Sequence, residues 1–260
     1  MTKEEFISHI PLIFDDKGTV LYNDRNTIRL FQMDDGTEMV IKRFKRPNIV
    51  QKVVYTYFRE TKASRAYSHG KELLRRGVST PVPYGFHETK ECGLIDFCYF
   101  ASARTDARPI EDFIDHDDWD CSLAELFARY LVLLHQKGVL HHDLNDTNVL
   151  YDPQLFNRDM GADATCRCSV EELFSLIDTN RMKFYPEHQP IPIDECLENM
   201  TRFTKRYDLF EFVLRKYADF RQLNQEEIVE RGMRIKRHHD DCRRRRKAFL
   251  HGLARLLNIR

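Results

Sequence analysis

The chain has 260 residues, 42% of them hydrophobic, enough to bury a real core as one large domain or two small lobes. Lys plus Arg and Asp plus Glu number 41 each, so whole-chain charge argues neither for nor against an anionic partner. No run approaches the ~18 apolar residues of a spanning helix. The opening MTKEEFISHI is charged and polar rather than an apolar leader, and the seven Cys are odd in number and scattered. The expectation is therefore a cytoplasmic protein with reduced thiols.

In chain order, residues 12–46 read as strands. TVLY, TIRLF and EMVIKRF are short β-branched and aromatic runs, separated by turn chemistry at Gly18, Asn23–Asn26 and Asp34-Asp35-Gly36. DDGT between two such runs predicts a hairpin. Residues 49–76 read as one helix ending before Gly77, with Ala66, Tyr67, Leu73 and Leu74 as its buried stripe. STPVPYGF is a Pro-punctuated crossing, and LIDFCYFAS an apolar strand. From about residue 122 the style changes. SLAELFARYLVLLHQKG predicts an amphipathic helix with Ser122 as N-cap and Gly138 after its end. A polar loop, the short strand NVLY, an irregular stretch, FSLID and a long helical region follow. There is no internal repeat.

The polar loop carries the chemistry. VLHHDLNDTNVLY places His141, His142, Asp143, Asn145, Asp146 and Asn148 within eight residues, between apolar ends. Asp143 and Asn148 are five apart on a loop that follows a helix. Asp178 ends an apolar strand, and Lys42 sits in the third strand of the sheet region. Phosphoryl transfer from ATP uses this set. A lysine holds the donor's phosphates, an Asp and an Asn offer hard oxygen ligands to Mg2+, and a further Asp accepts the proton of the acceptor hydroxyl. Lys42, Asp178 or His141 taken singly reads as an ordinary strand or loop residue. The four residues Lys42, Asp143, Asn148 and Asp178, in that order, do not.

HHDLNDTN resembles the protein-kinase catalytic loop HRDLxxxN, with VIK before it and IDTNR after it. Within that superfamily the chain is similar to the bacterial lipopolysaccharide kinases of the Kdo/heptose type. The features are VIKRF, the helix running into LLRRGVSTPVPYGF, HHDLNDTNVLY, and LIDTNR with Arg181 three residues after the aspartate. The similarity covers roughly residues 15–215. It implies a kinase-like α+β fold: a small antiparallel β-rich N-lobe with one main helix over 1–103, and a mostly helical C-lobe over 104–260. It implies ATP and Mg2+ as cofactors, with Asp143 catalytic, Asn148 and Asp178 on the metal, and Lys42 on the nucleotide. The acceptor it implies is a sugar hydroxyl of lipopolysaccharide or a related glycolipid.

The chain departs from the kinase pattern in three places. The turn between the first two strands is YNDRN, without the usual glycines, so Asn23, Arg25 or Asn26 would stand in for backbone approach to the phosphates. Glu60 and Glu72 are the candidates to pair with Lys42. No APE-like segment follows Asp178, which favours a compact acceptor over a peptide. Other readings stay open: an atypical small protein kinase, an aminoglycoside-type phosphotransferase, or a nucleotide-binding pseudokinase scaffold. Cys166 and Cys168 lack a second pair at zinc spacing. Trp119 reads as a surface or interlobe anchor. At the C-terminus Lys236, Arg237, Arg243–Arg246 and Lys247 form a basic cluster. Phe249, Leu250, Leu253, Leu256 and Leu257 follow it at helical spacing. This predicts either peripheral contact with an anionic inner-membrane surface or a terminal helix packed on the C-lobe. No nucleic-acid motif accompanies the arginines, and no nucleic-acid partner is expected.

Overall fold

The computed structural model describes residues 1–114, 116–155 and 169–256. The chain divides into two compact units, one of Met1–Arg108 with Asn148–Lys183 and one of Pro109–Thr147 with Phe184–Arg260. Cys166, Cys168 and Leu257 lie outside the described residues, as do the side chains of Leu250, Leu253 and Leu256. Among the described residues no helix is long and apolar enough to cross a membrane.

The first unit opens with a helix, α1 (Lys3–Ile13). Its start is set locally: Thr2 and Glu5 exchange side-chain and backbone bonds in a capping box. Five strands follow: β1 (Thr19–Asn23), β2 (Thr27–Gln32), β3 (Glu38–Arg43), β4 (Pro83–Glu91) and β5 (Leu94–Ala103). They form one antiparallel sheet in the order β1-β2-β3-β5-β4. The hairpin expected at DDGT is present: Met33 N–H donates to Thr37 O, and Gly36 takes φ +82°. Gly18 is needed elsewhere. A Cβ there would lie 2.9 Å from both Leu30 O and the Phe31 ring.

The helix expected over residues 49–76 is two helices, α2 (Ile49–Tyr57) and α3 (Lys62–Arg75). Local capping ends one and starts the next. Asn48 caps α2, and Thr61 caps α3 by accepting the Ser64 N–H. Two buried clusters hold helices to opposite faces of the sheet. Phe6, Ile7, Ile10 and Phe14 of α1 pack on Phe31, Met39, Ile41 and Tyr99. Ala63 and Ala66 of α3 pack on Phe44 and Cys98. Each large apolar side chain so buried contributes about 1.5–3 kcal/mol. Of the expected α3 stripe, Ala66 and Leu73 are buried while Leu74 is exposed. The unit is completed by a short antiparallel pair, β6 (Val149–Tyr151) and β7 (Phe174–Leu176).

The second unit is built on α4 (Cys121–Gln136), α5 (Ile193–Met200), α6 (Tyr207–Phe220) and α7 (Gln225–Leu256). The N-cap of α4 is Asp120, not Ser122. The Asp120 carboxylate accepts the N–H groups of Ser122 and Leu123, a stronger charge-assisted cap two residues earlier. Trp119 stacks edge-on to Phe212 at 4.9 Å, which anchors the entry to α4 on α6. Gly232 lets α7 approach α6 closely: a Cβ there would meet Leu214 Cδ1 at 2.6 Å. Lys236, expected in the basic cluster, is instead 1% exposed and donates to Thr201 O and Thr204 O at 3.1 and 2.8 Å. Burying an ammonium without such partners would be prohibitive. Arg243–Phe249 are exposed.

Candidate active site

In the first unit Lys42 lies near the end of β3, a strand paired on both sides. Its Cα partners are Ile28 on β2 and Phe100 on β5, so two hydrogen-bonded ladders fix its position. The strand's alternation buries Met39 and Ile41 against α1 and leaves Lys42 on the other face. Lys42 Nζ reaches Asp178 Oδ1 at 2.8 Å, with side chains 17% and 29% exposed. Neither Glu60 nor Glu72 bonds Lys42. Glu72 is held by Arg75 and Arg76 at 2.7 and 2.6 Å, Arg75 foremost, and its pKa falls to about 2.

Asp178 follows β7 in the left-handed backbone region, φ +56° and ψ +44°. Asp enters that region at modest cost, and such residues gather at ligand sites. Its neighbours hold it in place. Asn180 Nδ2 donates to Asp178 Oδ1 at 2.5 Å. Thr179 is clamped to α3 twice: its hydroxyl donates to Ala66 O at 3.0 Å, and its carbonyl lies 2.7 Å from His69 Nδ1. A carbonyl only accepts, so His69 carries its proton on Nδ1. Burial lowers the His69 pKa. On the neighbouring strand, Asn148 O accepts the Ile177 N–H at 3.0 Å, one residue before Asp178. Asn148 is 8% exposed.

Asn148 and Asp178 therefore stand at adjoining ends of one β-pair, an amide oxygen and a carboxylate. Among the described residues no three His, Cys, Asp or Glu side chains converge on a cation site. The pair fits Mg2+, which keeps waters and phosphate oxygens and needs only one or two protein carboxylates. At the β1–β2 turn the asparagines are engaged: Asn23 Oδ1 accepts from Thr27 and Asn26 Oδ1 from the Lys45 N–H. Arg25 has no ion pair among the described residues. It lines a groove of about 460 Å3 with Thr27, Arg43 and Lys45.

In the second unit the catalytic-loop candidate is anchored from beneath. His141 and Leu144 are fully buried, and the Asp143 N–H donates to His141 Nδ1 at 3.1 Å. Leu144 N–H to His141 O at 2.9 Å and Asn145 N–H to Asp143 O at 2.8 Å tighten the turn. The Asp143 carboxylate is 17% exposed and lies 2.7 Å from Arg202 Nη1. His141 is thus a structural histidine that shapes the loop. Arg202 carried no signal in the sequence, since it stands 59 positions downstream in the turn Thr201-Arg202-Phe203 after α5.

No family model matches the chain, and no curated protein matches it. Solved structures do. WaaP in complex with acyl carrier protein is similar at a TM-score of 0.54 and 15% identity, over 89% of this chain and 91% of that one. A Rio2 kinase from Chaetomium thermophilum, solved as an ADP/Mg2+-phosphoaspartate complex, is similar at a TM-score of 0.42 and 15% identity, over 91% of this chain and 76% of that one. With its antiparallel sheet and helical C-terminal region, the chain has a protein kinase-like α+β fold.

Proposed function

We propose that this protein transfers the γ-phosphoryl group of ATP to a sugar hydroxyl of lipopolysaccharide core or a related glycolipid. The observation that supports this most directly is the Lys42–Asp178 pair at 2.8 Å, with Asn148 on the adjoining strand. Lys42 holds the donor's phosphates. Asp178 and Asn148 supply oxygen ligands to Mg2+, which when bound neutralises charge on the phosphates. Arg25, on the glycine-poor turn, adds a second cation for the phosphate tail. Asp143 aligns the acceptor hydroxyl and takes its proton, while the ion pair with Arg202 holds its carboxylate in place. Little covalent work remains, so positioning carries the rate.

The choice of a glycolipid rests on the VIKRF, HHDLNDTNVLY and LIDTNR motifs and on the exposed run Arg243–Phe249, which suits an anionic membrane surface. The test is γ-labelled ATP offered with core lipopolysaccharide, a peptide mixture or an aminoglycoside. Label on the lipopolysaccharide is the expected result. Label on peptide or aminoglycoside alone would replace the acceptor, and ATP binding without transfer to any would identify a pseudokinase.

A further inference from the structure

The helical unit contains a cavity of about 410 Å3, within the ~300–1,000 Å3 typical of small-molecule sites. Two helical faces and one loop wall it. Glu195, Glu198, Asn199 and Arg202 recur at i, i+3, i+4 and i+7 through α5 and the turn after it. Ile235, His238, His239 and Cys242 repeat that spacing on α7, and Leu140 and His142 close the loop side. This wall is continuous with the candidate catalytic loop, because Arg202 is both a lining residue and the partner of Asp143 at 2.7 Å.

One buried side chain in the wall, Asn199, has an amide oxygen without a hydrogen-bond partner among the described residues. Arg221 Nη1 donates to Tyr217 Oη at 2.8 Å, and His135 Nδ1 lies 2.7 Å from the same oxygen. His135 is fully buried and neutral, because burial pulls its pKa to about 3. On the other side of the ring, Asn199 Nδ2 lies 3.2 Å from His135 Nε2. Asn199 Oδ1 is a buried acceptor with no donor among the described residues, on a side chain 6% exposed. Leaving a buried acceptor empty is costly, so natural structures fill such places with water or ligand.

Building on the kinase reading above, we infer that this cavity is the acceptor subsite and takes a polyhydroxylated sugar ring. The polar groups set in its partly apolar wall match that class, since a sugar ring offers both hydroxyls and an apolar face. The Glu198 carboxylate, which makes no ion pair among the described residues, and Asn199 Oδ1 accept from ring hydroxyls. Glu195, already held by Tyr185 Oη at 2.5 Å, is a fixed acceptor beside them. Arg202, His142 and His238 supply donors. A hydroxyl lodged beside Arg202 lies next to Asp143, the proton acceptor of the proposed transfer.

The test uses the full chain and deacylated lipopolysaccharide core oligosaccharide as probe, with three measurements: direct binding by calorimetry, KM and kcat for phosphotransfer, and the thermal shift given by ATP with Mg2+. Two exposed wall positions are altered so that folding is not at stake: Cys242→Trp fills the cavity, and Glu198→Gln removes one charged acceptor. Cys242→Trp should abolish oligosaccharide binding, and Glu198→Gln should raise KM about tenfold or more, as loss of a charge-assisted hydrogen bond does. Both should keep the ATP-dependent thermal shift, which a folding defect would also remove. If wild type and both variants bind and transfer alike, the subsite is elsewhere while the kinase reading stands. If the wild type phosphorylates only a non-sugar acceptor, the glycolipid reading falls and this assignment falls with it. If binding is lost together with the ATP shift, the variants report unfolding, and the inference is overturned unless a third variant, His238→Ala, lowers binding with the ATP shift intact.

Discussion

Replacing His135 with Gln should flatten the acid limb of the stability curve. His135 is fully buried, and burial holds its pKa near 3 in the folded chain against about 6.5 when unfolded. The folded value is the lower one, so the unfolded chain binds the proton first. The stability that depends on a neutral His135 is complete above about pH 6.5 and is lost as pH falls toward 3. Each pH unit inside that window costs about 1.4 kcal/mol. By about pH 5 the loss is roughly 2 kcal/mol, a large part of the ~5–15 kcal/mol that holds a domain together. The carboxylates held lowest act further down. Glu72 and Asp208, each lowered to about 2, lose their contribution only below their ordinary 4.5 and 3.8. His69 moves in the same direction as His135 but is present in both proteins, so the difference isolates His135. The assay is urea unfolding of wild type and His135→Gln at about pH 7.5, 6 and 5. The variant should begin about 1–3 kcal/mol less stable, from the altered bonds to Tyr217 and Asn199. The gap should narrow by about 2 kcal/mol by pH 5. Parallel curves would refute the neutral buried ring.

Asp143→Asn should lower turnover by at least ~10²-fold with ATP affinity little changed, as for loss of a positioned base; equal turnover in single-turnover assays removes Asp143 from the chemistry. Asp178→Ala should erase the Mg2+-dependent part of the ATP thermal shift, and Asn148→Ala should reduce it more mildly because an amide brings no charge. An unchanged Mg2+ increment in both would deny them the metal. Gly232→Ala should destabilise the chain by about 1–3 kcal/mol despite alanine's better helix propensity, because its Cβ would meet Leu214; a gain in Tm would show that α6 and α7 can part freely. Changing Arg243–Arg246 to Gln should release the protein from anionic vesicles, at about 1 kcal/mol per charge, and raised salt should do the same. Equal pelleting of wild type and variant would end the membrane-surface proposal.

The sequence by itself determined what depends on neighbours along the chain. The DDGT hairpin, the α3 terminus before Gly77, the glycine after α4 and the loop His141–Asn148 are set by local backbone chemistry, and each stands where its residues predict it. Its motifs also singled out Lys42 and Asp178, which the structure pairs at 2.8 Å. Nearby errors came from competing local signals: Asp120 outranks Ser122 as a cap because it is charged, and Thr61 restarts a helix that reads as continuous. Partner choice across long separations was not legible. Nothing near Lys42 says that its carboxylate is 136 positions away rather than on α3. Lys236 sits in a run that reads as a solvated basic face, yet the turn at Thr201–Thr204 draws it inward. Nothing beside Asn199 in the chain shows that its amide lies against His135, 64 positions upstream, with Oδ1 left without a donor among the described residues. Periodicity records which face of a helix is buried; which polar group meets which is decided by how the helices pack.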